Sequence, residues 1–111
     1  DLISKCRLRE TREIVGVAIG KAFMHRGTYR GYVAMLAVEE QFRKRGIAKN
    51  LASRLLTEMA HDGVSEIVLE TEDSNSASLS LYEKVGFVRD KFLPNYYLNG
   101  SSAFRLKLWL E

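Results

Sequence analysis

Three short stretches of the sequence carry residue types that could do chemistry, and the first is a basic turn. Residues 43–48 read RKRGIA, and apolar residues recur at helical spacing directly after them. The first N–H groups of a helix are unpaired and carry a partial positive charge, so they attract anions. Small residues let a phosphate approach the backbone, and basic side chains strengthen the attraction. The turn therefore predicts a phosphate site, with a solvated basic turn as the open alternative. Its residues are Arg43, Lys44, Arg45, Gly46, Ile47 and Ala48.

The second stretch is a pair of carboxylates in the sequence LETE, residues 69–72. Side chains alternate along a strand, so Glu70 and Glu72 lie on the same face. An α-amino group has an ordinary pKa of about 7.7–8.0, and it must lose a proton before it can attack a carbonyl. A carboxylate can accept that proton directly or through a water molecule. The competing interpretation is an ordinary solvated strand face.

The third stretch pairs Asn75 with Tyr82 on a short predicted helix. A separation of seven residues is about two helical turns, which puts both side chains on one side. A phenol with an ordinary pKa of about 10 can donate a proton to a leaving group. A core tyrosine and a helix-capping asparagine are the alternatives, and Asn75 could serve as both cap and ligand.

The elements that position these residues follow from the hydrophobic pattern. A helix lies between the third and fourth strands, so part of the sheet must be parallel and the class is α/β. The third strand, YVAMLAV, is apolar on both faces and is expected to be covered on each. A polar turn is predicted at residues 10–13 and a polar stretch at 25–31. The predicted strands are 3–8, 14–23, 32–38, 65–72, 87–91 and 103–110, and the helices run from Gly46 to Gly63 and over 76–85.

Composition narrows the protein class. The 111 residues suit one domain, and 46% hydrophobic with 28% charged residues is typical of a folded globular protein. The longest apolar run, residues 32–38, is too short to span a bilayer, and no signal peptide is expected at the N-terminus. One cysteine allows no internal disulfide, which fits a reducing cytosolic or nuclear compartment, and the cytoplasm is the expected location. No residues have metal-ligand spacing, so no metal is expected. A net charge of +3 concentrated in one turn makes nucleic acid a weak candidate ligand.

Two motifs together resemble a known family. The pattern Arg43-x-x-Gly46-x-Ala48 is similar to the [QR]xxGx[GA] coenzyme A signature of the GNAT acetyltransferases. Residues 75–87 resemble their second signature, NxxAxxxYxxxGF, with Ser78 at the small-residue position. More narrowly, RGYVAMLAV, LETEDSNSASLSLYEKVGFVRDK, YYLNG and RLKLWL resemble the NatC-type catalytic subunit of N-terminal acetyltransferases.

The resemblance implies the GNAT fold, a central mixed sheet flanked by helices. That fold usually begins with a strand and two helices that this sequence lacks. Residues 1–111 are therefore expected to be a single GNAT domain that is incomplete at its N-terminus. The resemblance also implies site residues. Glu70 would be the catalytic base and Tyr82 the acid. Acetyl-CoA would be held by the basic turn and by Leu36, Ala37, Val38, Asn75, Ser78 and Tyr82. The acceptor would contact Tyr32, Met35, Glu72, Tyr96 and Tyr97.

The expected reaction is acetyl transfer from acetyl-CoA to the N-terminal amine of proteins, in a ternary complex. The NatC likeness suggests methionine followed by a bulky hydrophobic residue, with auxiliary subunits and the ribosome as partners. Two alternatives stay open: a GNAT enzyme for a small amine or a lysine side chain, and a non-catalytic coenzyme A-binding module.

Overall fold

The computed structural model describes the backbone of residues 2–7 and the whole of residues 13–110. Most of the turn predicted at residues 10–13 lies outside the described residues. The order of strands and helices is the predicted one. The elements are β1 (Leu2–Arg7), β2 (Ile14–His25), β3 (Thr28–Val38), a 3₁₀ turn (Glu40–Phe42), α1 (Ile47–His61), β4 (Glu66–Glu72), α2 (Ser76–Lys84), β5 (Val88–Leu93) and β6 (Ala103–Trp109).

The strands form one mixed six-stranded sheet in the order β1-β2-β3-β4-β6-β5. All neighbours are antiparallel except β3 and β4, which run parallel. A parallel pair cannot be joined by a tight turn, and α1 provides the crossover between its strands. The predicted α/β class is confirmed.

The core lies between the two helices and one face of the sheet. Leu51, Leu55 and Met59 of α1 are almost fully buried, and the core also contains Leu79 of α2 and Ile67 of β4. The alternate residues of β4, including Glu66 and Glu70, line an open groove instead. Both helices therefore cover the same face of the sheet. Neither helix found among the described residues is long and apolar enough to cross a membrane.

A two-residue turn joins β2 to β3. His25 pairs with Thr28, and the residues between them, Arg26 and Gly27, have φ angles of 52° and 84°. Two successive left-handed residues match the twist of a hairpin, and glycine tolerates this conformation best. β2 continues to His25 and β3 begins at Thr28, so both strands extend further into the polar stretch at residues 25–31 than the sequence predicts. The polar residues of this stretch belong to the ends of the two hairpin strands and to the turn between them.

The expectation that β3 is covered on both faces was also wrong. Ala34, Met35 and Ala37 are exposed, and Met35 has 48% of its surface accessible. These residues belong to the half of β3 that no longer pairs with β4. These apolar residues border the gap between β3 and β4 and do not form a buried central strand.

The packing of Met59 generates a stability prediction. Met59 is 0% exposed and fills the space above two glycines in the sheet, since a Cβ at Gly20 or Gly31 would collide with it. Met59→Ala should lower the free energy of unfolding by about 2–5 kcal/mol through lost contacts and a cavity. Glu58→Ala, an exposed neighbour on α1, should change it by less than about 0.5 kcal/mol. Urea denaturation measures both, and equal effects would contradict this packing.

Candidate active site

A cleft opens where β3 and β4 diverge. Their register covers only three residues of each strand, Arg30–Tyr32 against Glu66–Val68. Beyond that point a cavity of about 270 Å³ separates them. We call this cavity the cleft. It is lined by Val33, Ala34, Met35, Leu36, Leu69, Glu70, Thr71, Glu72, Asn75, Ser78, Tyr82 and Tyr97.

A bulge in β3 lies at the start of the cleft. Ile19 pairs with Met35 and Gly20 pairs with Val33, so Ala34 has no partner on β2. A bulge bends its strand and redirects the backbone that follows. Between Val33 and Leu36, no strand of the described part of the chain pairs with β3 on the side that faces β4. Unpaired backbone N–H and C=O groups need partners, so the cleft is suited to an extended ligand that carries amides.

Helix α2 closes one end of the cleft. The Asn75 side chain accepts a 3.1 Å hydrogen bond from the Ser78 backbone N–H, so Asn75 is the helix cap. Tyr82 lies two turns further on, 4% exposed, with its ring edge-on to Phe87 at 5.4 Å. Burial raises the pKa of Tyr82 to about 12. The phenol is therefore protonated at neutral pH and is available as a donor.

The basic turn precedes α1. Gly46 is the N-cap residue with a φ of 77°, and no side chain caps the helix. Lys44 also has a left-handed φ, 65°, and Arg43 Nε donates a 3.0 Å hydrogen bond to the Val38 carbonyl. A helix start whose first N–H groups have no side-chain cap carries a partial positive charge. The side chains of Arg43, Lys44 and Arg45 are exposed. The turn has the features that an anion site requires.

Glu70 is held from both sides. Tyr32 of β3 donates a 2.6 Å hydrogen bond from its hydroxyl to Oε1, and Arg105 of β6 donates from Nε to Oε2 at 2.9 Å. Only 6% of the Glu70 side chain is exposed. Burial and the bond to Glu70 raise the pKa of the Tyr32 phenol above its ordinary value, so Tyr32 is the donor.

The cleft meets the open groove at Glu70. The groove has a volume of about 770 Å³, and its lining includes Tyr32, Glu66, Val68, Tyr96 and Arg105. Among the residues that the structure describes, Glu70 alone lines both cavities. Tyr96 lines the groove and Tyr97 the cleft, and their rings pack edge to face at 5.0 Å. A ligand in the cleft and a second one in the groove would therefore meet at this carboxylate.

The predicted site residues fall into three places. The cleft brings together Met35, Leu36, Glu70, Glu72, Asn75, Ser78, Tyr82 and Tyr97. Tyr32 and Tyr96 lie in the groove beside Glu70. Ala37, Val38 and the turn over residues 43–48 are outside the lining of both cavities.

Arg105, which forms an ion pair with Glu70, is a site residue that the sequence analysis missed. The alternation in RLKLWL puts Arg105 and Lys107 on one face of β6. To predict that this face pairs with Glu66 and Glu70, one must know the register between β4 and β6. Sequence patterns do not give the register between strands that are distant in the chain.

A sequence profile described as the acetyltransferase (GNAT) family matches residues 3–87, more than half of the chain. This chain belongs to that family. The GNAT fold expected from the sequence is therefore confirmed, with the diverging parallel pair at its centre.

Among individual relatives, N-alpha-acetyltransferase 30 of Homo sapiens is 50% identical over 100 residues. The alignment covers 89% of this chain and 28% of the human protein. The Schizosaccharomyces pombe protein of the same name is 50% identical over 86% of this chain and 64% of its own length. This GNAT chain thus spans between about a quarter and two thirds of these two relatives.

Solved structures agree with the sequence relatives. The crystal structure of the NatC complex bound to Gag peptide and CoA contains a chain that superposes with a TM-score of 0.91 at 43% identity, covering 98% of this chain and 70% of that one. Ard1 from Thermoplasma volcanium superposes with a TM-score of 0.82 at 27% identity, covering 91% and 66%.

The raised pKa of Tyr82 predicts a loss of stability at alkaline pH. The folded state keeps the phenolic proton up to about pH 12, whereas an unfolded tyrosine releases it near pH 10. The stabilisation is therefore complete below about pH 10 and is lost as the pH rises toward 12, an effect of about 2–3 kcal/mol. Urea denaturation across this window should show a steeper loss for the wild-type chain than for Tyr82→Phe. Parallel curves would contradict the assignment.

Proposed function

We propose that this chain is the catalytic domain of an N-terminal protein acetyltransferase. It would move acetyl from acetyl-CoA to the amine of proteins that begin with methionine and a bulky hydrophobic residue. The observation that carries the proposal is the position of Glu70, a nearly buried carboxylate at the junction of the cleft and the groove. Relatives that are 50% identical and named N-alpha-acetyltransferase support the choice of an α-amine as acceptor.

The cleft and the basic turn would hold acetyl-CoA. The uncapped start of α1 and the exposed cations over residues 43–45 suit its phosphates. The unpaired edge of β3 at Met35 and Leu36 suits the amides of the pantetheine arm, as do Asn75 and Ser78 across the cleft. When bound, acetyl-CoA supplies the thioester carbonyl that the amine attacks. Ala37 and Val38 would contribute through their backbone, on the path between the cleft and the turn.

Glu70 would take the proton from the attacking amine, directly or through a water molecule. Its two oxygens already accept one hydrogen bond each, but a carboxylate has about four acceptor sites, so capacity remains. Direct transfer is favoured over a covalent acetyl-enzyme because the single cysteine, Cys6, lies in β1, two strands away from β3.

Tyr82 would assist the departing thiolate. Burial raises the pKa of Tyr82 to about 12, above the range of an ordinary thiol, so complete proton transfer to the thiolate would be uphill. A hydrogen bond from the phenol to the developing negative charge avoids that penalty and still lowers the barrier. Tyr82 therefore acts mainly as a hydrogen-bond donor in this proposal.

The acceptor peptide would enter by the groove. Tyr32 and Tyr96 border the groove next to Glu70, and Met35, Glu72 and Tyr97 line the cleft where the amine would meet the thioester. The NatC structure is of a complex bound to a Gag peptide and CoA, which supports a peptide acceptor. By the same likeness, we infer auxiliary subunits and work on nascent chains at cytoplasmic ribosomes.

Removing the carboxylate should abolish most turnover. Glu70→Gln keeps the size of the side chain but cannot accept the amine proton, so kcat should fall by about 10²–10⁴-fold. Calorimetry should show unchanged acetyl-CoA affinity. The control is Glu58→Gln, an exposed carboxyl change on α1 that should leave kcat within about twofold. A folded Glu70→Gln protein with wild-type turnover would rule out the base assignment.

The choice of acceptor is tested by assaying different amines separately. The full-length chain, with auxiliary subunits, should acetylate a peptide starting Met-Leu faster than a polyamine or an internal lysine. The readout is kcat/KM for each acceptor, by release of free coenzyme A. Faster turnover of the polyamine or lysine would favour a different amine acceptor for the same fold. Acetyl-CoA binding without turnover on any amine would favour a non-catalytic module.

A further inference from the structure

Arg105 is the least expected neighbour of the proposed base. Arg105 lies directly opposite Glu70 in the β4–β6 register, and its Nε is 2.9 Å from Glu70 Oε2. The Arg105 side chain is 29% exposed and the Glu70 side chain 6% exposed. An ion pair with this degree of burial is screened less than a surface pair, and a charge-assisted hydrogen bond has defined geometry.

The strands on either side of β4 each hold one oxygen of the same carboxylate. Tyr32 on β3 binds Oε1 at 2.6 Å, and Arg105 on β6 binds Oε2. A glutamate side chain has several rotatable bonds, and two donors on opposite sides leave it little freedom. The acceptor sites that stay unused are then held in a fixed orientation.

We propose that Arg105 is a positioning residue that orients Glu70 for proton removal. This inference rests on the proposed function, in which Glu70 accepts the amine proton. Arg105 also lines the groove, and in this inference its effect on the rate comes through Glu70 and not through a contact with the peptide. Misplacing a catalytic group by about 1 Å can cost about 100-fold in rate, so the constraint is large enough to matter.

An ion pair outside both cavities offers a matched control. Arg89 of β5 makes a 2.8 Å ion pair from Nε to Glu83 Oε2 of α2, and its side chain is 46% exposed. It pairs an arginine Nε with a carboxylate, as Arg105 does, but neither Arg89 nor Glu83 lines the cleft or the groove. Losing Arg89 should therefore leave the chemistry unchanged.

The first test compares Arg105→Met, Arg105→Lys and Arg89→Met in the full-length chain on a Met-Leu peptide. Arg105→Met should lower kcat by about 10–100-fold, with the KM for acetyl-CoA and the KM for the peptide each within about twofold. Arg105→Lys keeps the charge but loses the planar donor, so its kcat should lie between that of Arg105→Met and that of the wild-type chain. Arg89→Met should keep kcat within about twofold. Wild-type kcat in a folded Arg105→Met protein would overturn the inference.

A double-mutant cycle separates positioning from general support of the fold. In the Glu70→Gln background, Arg105→Met should change kcat by less than about twofold, because the group that it positions is gone. A further fall as large as in the wild-type background would overturn the inference. If circular dichroism shows that Arg105→Met does not fold, the Lys variant decides. Reduced kcat at unchanged KM supports positioning, and wild-type kcat overturns it.

Failure of the proposed function has a different signature. If the wild-type chain acetylates no amine, the function fails and the positioning role fails with it. If the wild-type chain is active and only the Arg105 variants are unaffected, the function stands and this inference alone is overturned.

Discussion

The shortness of the parallel pair is the constraint on which the rest of the structure depends. β3 and β4 share three residues of register and then diverge, although both strands continue for several residues. A sheet whose central strands stop pairing has fewer hydrogen bonds and leaves backbone N–H and C=O groups exposed. The core under the sheet compensates, since Leu51 and Leu55 of α1 and Leu79 of α2 belong to one buried cluster that includes residues of β2, β3, β4 and β6. The cleft can exist because side-chain packing in the core stabilises β3 and β4 where they no longer pair with each other.

Glu70 illustrates how the same sheet supplies both rigidity and reactivity. Its position on β4 makes it the meeting point of the cleft and the groove, and the neighbouring strands provide Tyr32 and Arg105 as donors. A carboxylate with little exposure is costly unless donors satisfy it. Tyr32 and Arg105 offset the cost of burying the Glu70 carboxylate, and the same two residues fix the orientation of its side chain. Stability and chemistry therefore depend on one set of contacts.

The sequence predicts the elements well and their long-range registers poorly. The 3.6-residue spacing of Leu51, Leu55 and Met59 gave α1, and Asn75 with Gly86 bounded α2, because capping and periodicity are local properties. Asn75, Ser78 and Tyr82 of the second motif line the cleft together with Glu70 and Tyr97.

What the sequence missed is non-local. The divergence of β3 from β4 and the pairing of Arg105 with Glu70 depend on which strands become neighbours. Alternation assigns each side chain to a face but does not identify its partner. The apolar run of β3 was also ambiguous, since a buried strand and the wall of a cleft have the same composition.

The two-residue turn at Arg26 and Gly27 has a consequence for how the chain assembles. It joins β2 to β3 with a very short loop, whereas pairing β3 with β4 must wait for the intervening residues 39–65 to fold back. Loop-closure entropy favours the local contact, and hairpins form in microseconds. We therefore expect the hairpin to form early and the two walls of the cleft to meet late. The cleft would then be among the last parts of the molecule to acquire its shape.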